Sequence, residues 1–405
     1  MDKLCRLCGS SKLNPLIDMG SHPIAHHYLA SLDGPKPQTF PFVLCFCDSC
    51  GFFQVRDPIP PENFYSNYIT LSSWKHQPHI PHLVELLRTV CELRVDAPIL
   101  EVGSNDGIFL RALREAGFYN TLGIEPAKDA QESARRSGIE TVGGYFNRKM
   151  AEELVASRGQ VQLFVNRQVL EHIEDLSEFA QAIRTVLAPG GFALIEVPNF
   201  TCNLQMPDYS LWEEHINYFT LDTLNHFLRC AGIKPVYDEI VLFSGETLVT
   251  IGKSEEGIDS IHSVGNIPEA RALATLYSKN WPLFRDAIVG YLRNHRDKGG
   301  KIAIYGAGAR LSALVNFAGL APFIEFVVDD QLEKQGKFMP GSELAIVPSS
   351  MLEQENIDLC LLAVNTESEE KAMAKHRDWI ERGGQFYSVL PPSERLLPVW
   401  SQLGD

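Results

Sequence analysis

The chain is predicted to be an α/β protein: a doubly wound parallel sheet, preceded by a small cysteine-rich module and followed by a second, smaller α/β unit. Three observations carry this. Ile99-Leu100-Glu101-Val102-Gly103-Ser104-Asn105-Asp106-Gly107 is a short apolar run that stops at a glycine-rich turn, and the amphipathic stretch Ile108 to Ala116 after it reads as a helix. Strand and helix patterns then alternate for about 100 residues, which a parallel sheet with crossover helices accommodates most economically. Finally, Lys301-Ile302-Ala303-Ile304-Tyr305-Gly306-Ala307-Gly308 opens a second strand, glycine turn and helix.

Composition narrows the function classes. A length of 405 residues predicts two or three domains with real cores. The net charge of -15, with no local basic stripe, argues against nucleic acid as a partner. Met1-Asp2-Lys3-Leu4-Cys5 offers no apolar leader, and no run approaches the length of a membrane span, so a soluble, cytoplasmic protein is expected. In that reducing setting the nine cysteines, five of them within the first 50 residues, are thiols or metal ligands.

Taken in order, the chain begins with Cys5-Arg6-Leu7-Cys8-Gly9 and Cys47-Asp48-Ser49-Cys50-Gly51. Two Cys-x-x-Cys knuckles, each followed by glycine, form the zinc-ribbon pattern, in which four thiolates close a tetrahedral, structural Zn2+ site. The 38 residues between the knuckles exceed the usual spacing, so a proline-rich insertion from about Leu16 to Phe42 is expected there. Cys45 reads as a buried thiol, and His22, His26 and His27 as surface or pocket residues. The aromatic and polar segment Glu62 to Ser73, with Tyr68 and Ser72, reads as a lid over a cleft or as a packed connector. A helix from about His79 to Leu93 leads into the first glycine turn.

At that turn Gly103 and Gly107 let a ligand approach the backbone, and Glu125, closing the second strand of Leu122-Gly123-Ile124-Glu125, is poised to accept from a ribose diol. Glu101, Asn105 and Asp106 crowd the turn with acceptors and negative charge, which repels a pyrophosphate but suits an ammonium or sulfonium. The pattern resembles motif I and the acidic second-strand residue of class I S-adenosylmethionine methyltransferases more than a dinucleotide fingerprint.

Downstream, helices are expected at Ala127 to Ser137, Arg148 to Arg158 and Ser177 to Leu187. Strands are expected at Ile139 to Val142, Val161 to Asn166 and Phe192 to Val197, the last after a Pro189-Gly190-Gly191 turn. Gln168-Val169-Leu170-Glu171-His172-Ile173 follows the fourth strand, at the edge where such sheets bind ligands. Pro198 to Tyr218 reads as a long functional loop carrying Leu211-Trp212-Glu213-Glu214-His215-Ile216-Asn217-Tyr218, with His215 the candidate general base and its carboxylate neighbours tuning the imidazole. Thr220 is the expected N-cap of a helix to Cys230, and Ile233 to Phe243 with Thr247 to Lys253 a closing hairpin. After a boundary at Ser254 to Asn266, a helix from about Pro268 to Lys298 precedes the second glycine turn, which lacks the third glycine of a dinucleotide signature. The expected domains are 1–75, 76–254 and 255–405.

The order of these parts, with Lys334-Gln335-Gly336 and Pro340-Gly341 in the last, resembles the S-adenosylmethionine-dependent sugar C-methyltransferases of deoxysugar pathways. The resemblance implies a zinc-binding domain, a class I methyltransferase core and a C-terminal Rossmann-like domain. It implies carbon methylation next to the ketone of a nucleotide-linked keto sugar. Carried over by position, Glu101, Gly103, Asn105, Asp106 and Gly107 bind the methionine part of S-adenosyl-L-methionine, Glu125 the ribose, and Tyr145 and Phe146 the adenine side, with Asn166 also on the cofactor side. His215, His172 and Glu214 are the catalytic group: His215 the base, Glu214 its proton-handling partner, His172 a donor to the enolate oxygen. Tyr68, Ser72, Trp212 and Tyr218 face the sugar, and Tyr305, Gly306 and Ala307 the nucleotide. The chain departs from the family at Trp212 and Thr70, where tyrosines are usual, which leaves methylation of an oxygen or nitrogen as the alternative. Its partner is a small molecule; the nucleotide, sugar and oligomeric state are not readable.

Overall fold

The computed structural model describes residues 3–60, 63–64, 77–206, 208–209, 211–258 and 265–399, so the predicted substrate residues Tyr68 and Ser72 lie outside the described residues. β1 (Leu13–Pro23), β2 (Thr39–Cys47) and β3 (Phe53–Val55) form an antiparallel sheet beside the two knuckles. What the spacing marked as an insertion is therefore the end of β1, the start of β2 and the connection between them. β4 (Ile99–Val102), β5 (Thr121–Glu125), β6 (Thr141–Gly143), β7 (Val161–Arg167) and β8 (Leu187–Pro198) run parallel to one another. β4 is buried at all four positions, as expected for a strand covered on both faces.

β9 (Asn217–Tyr218) leaves the central region and pairs with β3, Phe53 opposite Tyr218, so the N-terminal sheet is completed by the segment that follows His215. β10 (Ile233–Leu242) and β11 (Glu246–Ser254) form the predicted hairpin and add antiparallel to β8. The central sheet has the order β10-β11-β8-β7-β4-β5-β6. The chain turns outward in opposite directions from β4, and the crevice at the carboxyl ends of β4 and β7 is where such sheets bind ligands.

The helix Ile267–Asp297 buries Ala274, Tyr277, Trp281, Phe284, Ile288 and Leu292 along one stripe. It leads to β12 (Ile302–Tyr305), β13 (Phe326–Val328), β14 (Ile346–Val347), β15 (Leu359–Leu362) and β16 (Gln385–Ser388). These make a parallel sheet of order β14-β13-β12-β15-β16, with its own switch point between β12 and β15. That stripe shares one core with Phe42, Phe46 and Phe53 of the N-terminal sheet and with Ile302, Ile304 and Leu361 of the last one.

Two local readings change. Pro198 to Tyr218 is not wholly irregular: it holds β9 and the helix Phe200–Gln205, started by Asn199, whose side chain accepts from Thr201 N at 3.1 Å. Pro189-Gly190-Gly191 is a bulge inside β8 rather than a turn before it, because Leu187 pairs with Val161 and Phe192 with Leu163. Among the described residues no helix is long and apolar enough to cross a membrane.

Candidate active site

The first glycine turn is held to β5 by backbone and carboxylate together. Gly103 N–H donates to Ile124 O at 2.8 Å, and Gly103 has φ +76°, a conformation that favours glycine. Glu125 accepts from Asn105 N and Ala127 N, each at 2.9 Å, while each carboxylate oxygen keeps further acceptor capacity beside the cavity. Burial raises its pKa, opposed by those two amides. Burial pushes the Glu101 carboxyl up to about 8, with the Arg167 guanidinium 3.8 Å away pulling the other way. A Cβ on Gly103 would overlap Val169 Cγ2, so Gly103→Ala strains the backbone and displaces the loop after β7. Left-handed φ alone costs a non-glycine residue about 1–3 kcal/mol. Affinity for S-adenosylmethionine is expected to fall at least about tenfold in calorimetry.

Three predicted cofactor residues turn away from this cavity. Asp106 accepts from Ile108 N at 3.2 Å and faces Arg111 at 3.4 Å, so its oxygens are engaged at the start of the helix Ile108–Glu115. Gly107, at φ +77°, is the left-handed N-cap of that helix, and a Cβ there would lie 3.1 Å from Ile139. Asn166 is fully buried in β7, with Nδ2 donating to Val102 O at 3.4 Å, and braces β4. Tyr145 is exposed at the cavity rim, and Phe146 is buried against Phe164 and Phe179 while still lining the cavity.

The histidine centre forms where a 3-10 turn, Leu170–His172, meets the segment before β9. Ile216 N donates to Glu171 O at 2.9 Å, and Asn217 Nδ2 donates to Ile173 O at 2.6 Å and Leu170 O at 3.2 Å. These bonds bring His172 and His215 edge to face, centroids 4.8 Å apart, with the His215 ring 3.7 Å from that of Trp212. Burial lowers the pKa of both imidazoles, and for His215 the charges of His172 and Arg310 act in the same sense. Both rings are neutral near pH 7. His172 Nδ1 lies 2.7 Å from Glu214 O, which assigns the single N–H of the neutral ring to that carbonyl. His172 therefore presents an acceptor at Nε2, not the donor to an enolate that was expected.

Glu214 is corrected in the same way. Its carboxylate does not partner His215 but lies 2.5 Å from His26 Nδ1, with side chains 10% and 9% exposed. Burial alone would lower the His26 pKa and raise that of Glu214, yet their mutual hydrogen bond and charge outweigh it in both. Glu213 accepts from Ala25 N at 2.5 Å, so the two carboxylates clamp residues 25 and 26 onto the loop. His26, expected at the surface or in a pocket, is thus the partner of Glu214, and Glu171, whose carboxyl lies 3.9 Å from His215 Nε2, carries no signal beside its histidine neighbour.

The second glycine turn faces the same space. Ala307 N donates to Asp329 Oδ2 at 2.8 Å, while Ala307 O accepts from Tyr28 at 2.5 Å and Lys334 Nζ at 3.0 Å. With both backbone groups engaged, Ala307 lies behind the cavity wall, which Tyr305, Gly306 and Gly308 form. Tyr218 is buried with its hydroxyl donating to Trp212 O at 3.4 Å, and lines a smaller chamber behind the main one. Arg310, which sequence reasoning missed, opens the helix Ala309–Ala318. It donates to Asn365 Oδ1 at 2.6 Å and Ser244 O at 3.1 Å, both neutral acceptors, and lies 6.0 Å over the Trp212 ring.

Both turns, the histidines, Trp212 and Arg310 line one cavity of about 1200 Å³. Single-ligand sites usually span about 300–1,000 Å³. The space is large enough for two ligands side by side.

At the knuckles the four Sγ atoms lie within 4.8 Å of one another, Cys5 to Cys50 at 3.6 Å and Cys8 to Cys47 at 3.7 Å. A tetrahedron with Zn–S bonds of about 2.3 Å has edges of about 3.8 Å, so the donor set fits Zn2+ and leaves no open position. Cys45 is buried outside the cluster.

Three family models match the chain: a zinc binding domain over residues 5–65, a methyltransferase domain over 74–237 and a C-methyltransferase C-terminal domain over 271–391. The chain is 26% identical to the C-methyltransferase NovU of Streptomyces niveus, covering 98% of each. It is 27% identical to a ubiquinone biosynthesis O-methyltransferase of Dinoroseobacter shibae, over 36% of this chain and 63% of that one. A solved methyltransferase from Anabaena variabilis aligns at 15% identity with a TM-score of 0.38, covering 45% of this chain and 87% of that chain. The chain is an S-adenosylmethionine-dependent methyltransferase of the class I fold, with a zinc-binding domain ahead of the methyltransferase domain and a C-methyltransferase C-terminal domain behind it.

Proposed function

We propose that the protein methylates a carbon next to the ketone of a nucleotide-linked keto sugar, in the cytoplasm. The observation that carries this reading is the neutral His215, set between two glycine turns in one cavity sized for two ligands. S-adenosylmethionine, when bound at Glu101, Gly103, Asn105 and Glu125, supplies an electrophilic methyl group. Tyr305 and Gly306 hold the nucleotide end of the acceptor, and Trp212 packs the sugar against His215. Carbon is not nucleophilic until the proton beside its carbonyl is removed, and His215, a neutral buried imidazole, is placed to take it. The charge that develops on the carbonyl oxygen faces Arg310, a cation whose protein partners are neutral, and a low-dielectric setting strengthens that attraction.

A second reading is methylation of a hydroxyl. It is favoured by Trp212 standing where the resembled family has tyrosine and by the similarity to an O-methyltransferase. The test is incubation with labelled S-adenosylmethionine and a panel of nucleotide-linked 4-keto sugars in D2O, with the products read by 13C NMR and mass spectrometry. A new carbon–carbon bond, with deuterium entering the same carbon of unreacted acceptor, is the expected result. A methyl resonance on oxygen, without deuterium uptake, overturns carbon methylation.

A further inference from the structure

We propose that Glu171 is a proton relay, taking from His215 the proton removed from the acceptor and passing it to the chamber behind the histidines. The inference rests on the reading of His215 as the base in carbon methylation. In each turnover a C–H bond and a sulfonium–methyl bond break and a carbon–carbon bond forms, which leaves one proton on His215. His215 is only 7% exposed, and the cavity in front of it is the space that donor and acceptor take when bound. The proton must leave by another side before the imidazole can act again.

Glu171 stands on that side. It is 1% exposed, and neither carboxyl oxygen has a hydrogen-bond partner on another residue. Oε1 lies 3.9 Å from His215 Nε2 and 4.0 Å from His172 Nε2. A carboxyl removed from water and left without a donor on another residue is a poor structural element, which points to a use other than stability. The separation exceeds a hydrogen bond, so transfer runs through a small side-chain rotation or one bridging water.

Glu171 and His215 line both the main cavity and the rear chamber of about 60 Å³, whose polar wall includes Asp208, Asn217, Glu246 and Arg310. At about 10–15 Å³ for each water, the chamber of about 60 Å³ has room for about four to six. Burial pushes the Glu171 carboxyl up to about 8, with the charge of Glu196 adding to it. The groups that face it are His172 and His215 in front, Glu196 behind and Asp208, Glu246 and Arg310 around the chamber. The proton that His215 Nε2 takes from the acceptor leaves the same nitrogen for a Glu171 oxygen and then a chamber water, which frees the Nε2 lone pair again. Neutral imidazole and carboxylate are restored, and no oxidant or reductant is required.

Rapid-quench kinetics of Glu171→Gln, Glu171→Asp and the parent protein from pH 6.5 to 9 test the relay. Because the carboxylate form accepts the proton, steady-state kcat of the parent is expected to rise as pH passes about 8. Glu171→Gln is expected to flatten that rise and to slow later turnovers at least about tenfold more than the first. Glu171→Asp should restore the pH rise and carries the test should the glutamine variant not fold. A parent-like profile in Glu171→Gln, a first turnover slowed as much as later ones, or an aspartate variant without the pH rise overturns the proposal. If the parent itself transfers no methyl group to carbon, the reading of the function has failed instead.

Discussion

Replacing His215 by alanine is expected to lower kcat about a thousandfold while leaving affinity for S-adenosylmethionine within a factor of two or three, the span general-base catalysis ordinarily covers. The imidazole is buried with its ring centroid 3.7 Å from that of Trp212, tilted by 37°, and its pKa is lowered, chiefly by burial, so it is neutral. Gly103, in the turn after β4, and Glu125, at the end of β5, are held by bonds that do not depend on that ring. His172 Nε2 is the nearest alternative base, but its ring is tied through Nδ1 to Glu214 O, so His172→Ala is expected to cost less. Product formation by chromatography and donor binding by calorimetry separate chemistry from binding. Full turnover by His215→Ala removes this residue from the mechanism.

What could be read from the sequence was local. The glycine turn at Gly103, the acid at Glu125, the capping Thr220 and the two cysteine knuckles each follow from neighbours a few residues away, and the structure places them as read. The acidic residues after β4 show where such reading stops. Asp106 carries a carboxyl as Glu101 does, yet it stands at the start of a helix and spends its oxygens on Ile108 N and Arg111. Adjacency misled again at Glu214, since successive side chains of a turn point apart. Its true partner, His26, lies far back in the N-terminal sheet region, and no periodicity joins them. Arg310 reaches the histidines from another domain for the same reason: only the packed structure brings the second glycine turn over Trp212.

Removing zinc is expected to stop methylation altogether, although no step of the chemistry uses it. Arg6 sits between the ligands Cys5 and Cys8, and its backbone N–H donates to Gln54 Oε1 at 2.8 Å. Its guanidinium donates to Val55 O at 2.6 Å and to Ile216 O at 3.0 Å, the carbonyl immediately after His215. Val55 N donates to the same Ile216 O at 2.9 Å, and β3 pairs with β9 just beyond. The knuckle thus grips the segment that joins His215 to β9. Structural zinc contributes about 10–16 kcal/mol in small zinc-finger peptides, comparable to the whole stability of a domain, about 5–15 kcal/mol. The N-terminal sheet cannot absorb that loss, and the clamp on Glu213 and Glu214 goes with it. Chelation, or Cys47→Ser, should abolish activity in step with zinc release, while S-adenosylmethionine binding at the central sheet weakens only a few-fold. Arg6→Ala leaves the metal in place but strips two charged hydrogen bonds from the Val55 and Ile216 carbonyls, each worth about 1.5–3 kcal/mol. It is expected to lower kcat about tenfold at unchanged zinc content, and a zinc-free protein turning over at the parent rate would show that the knuckle does not govern the position of His215.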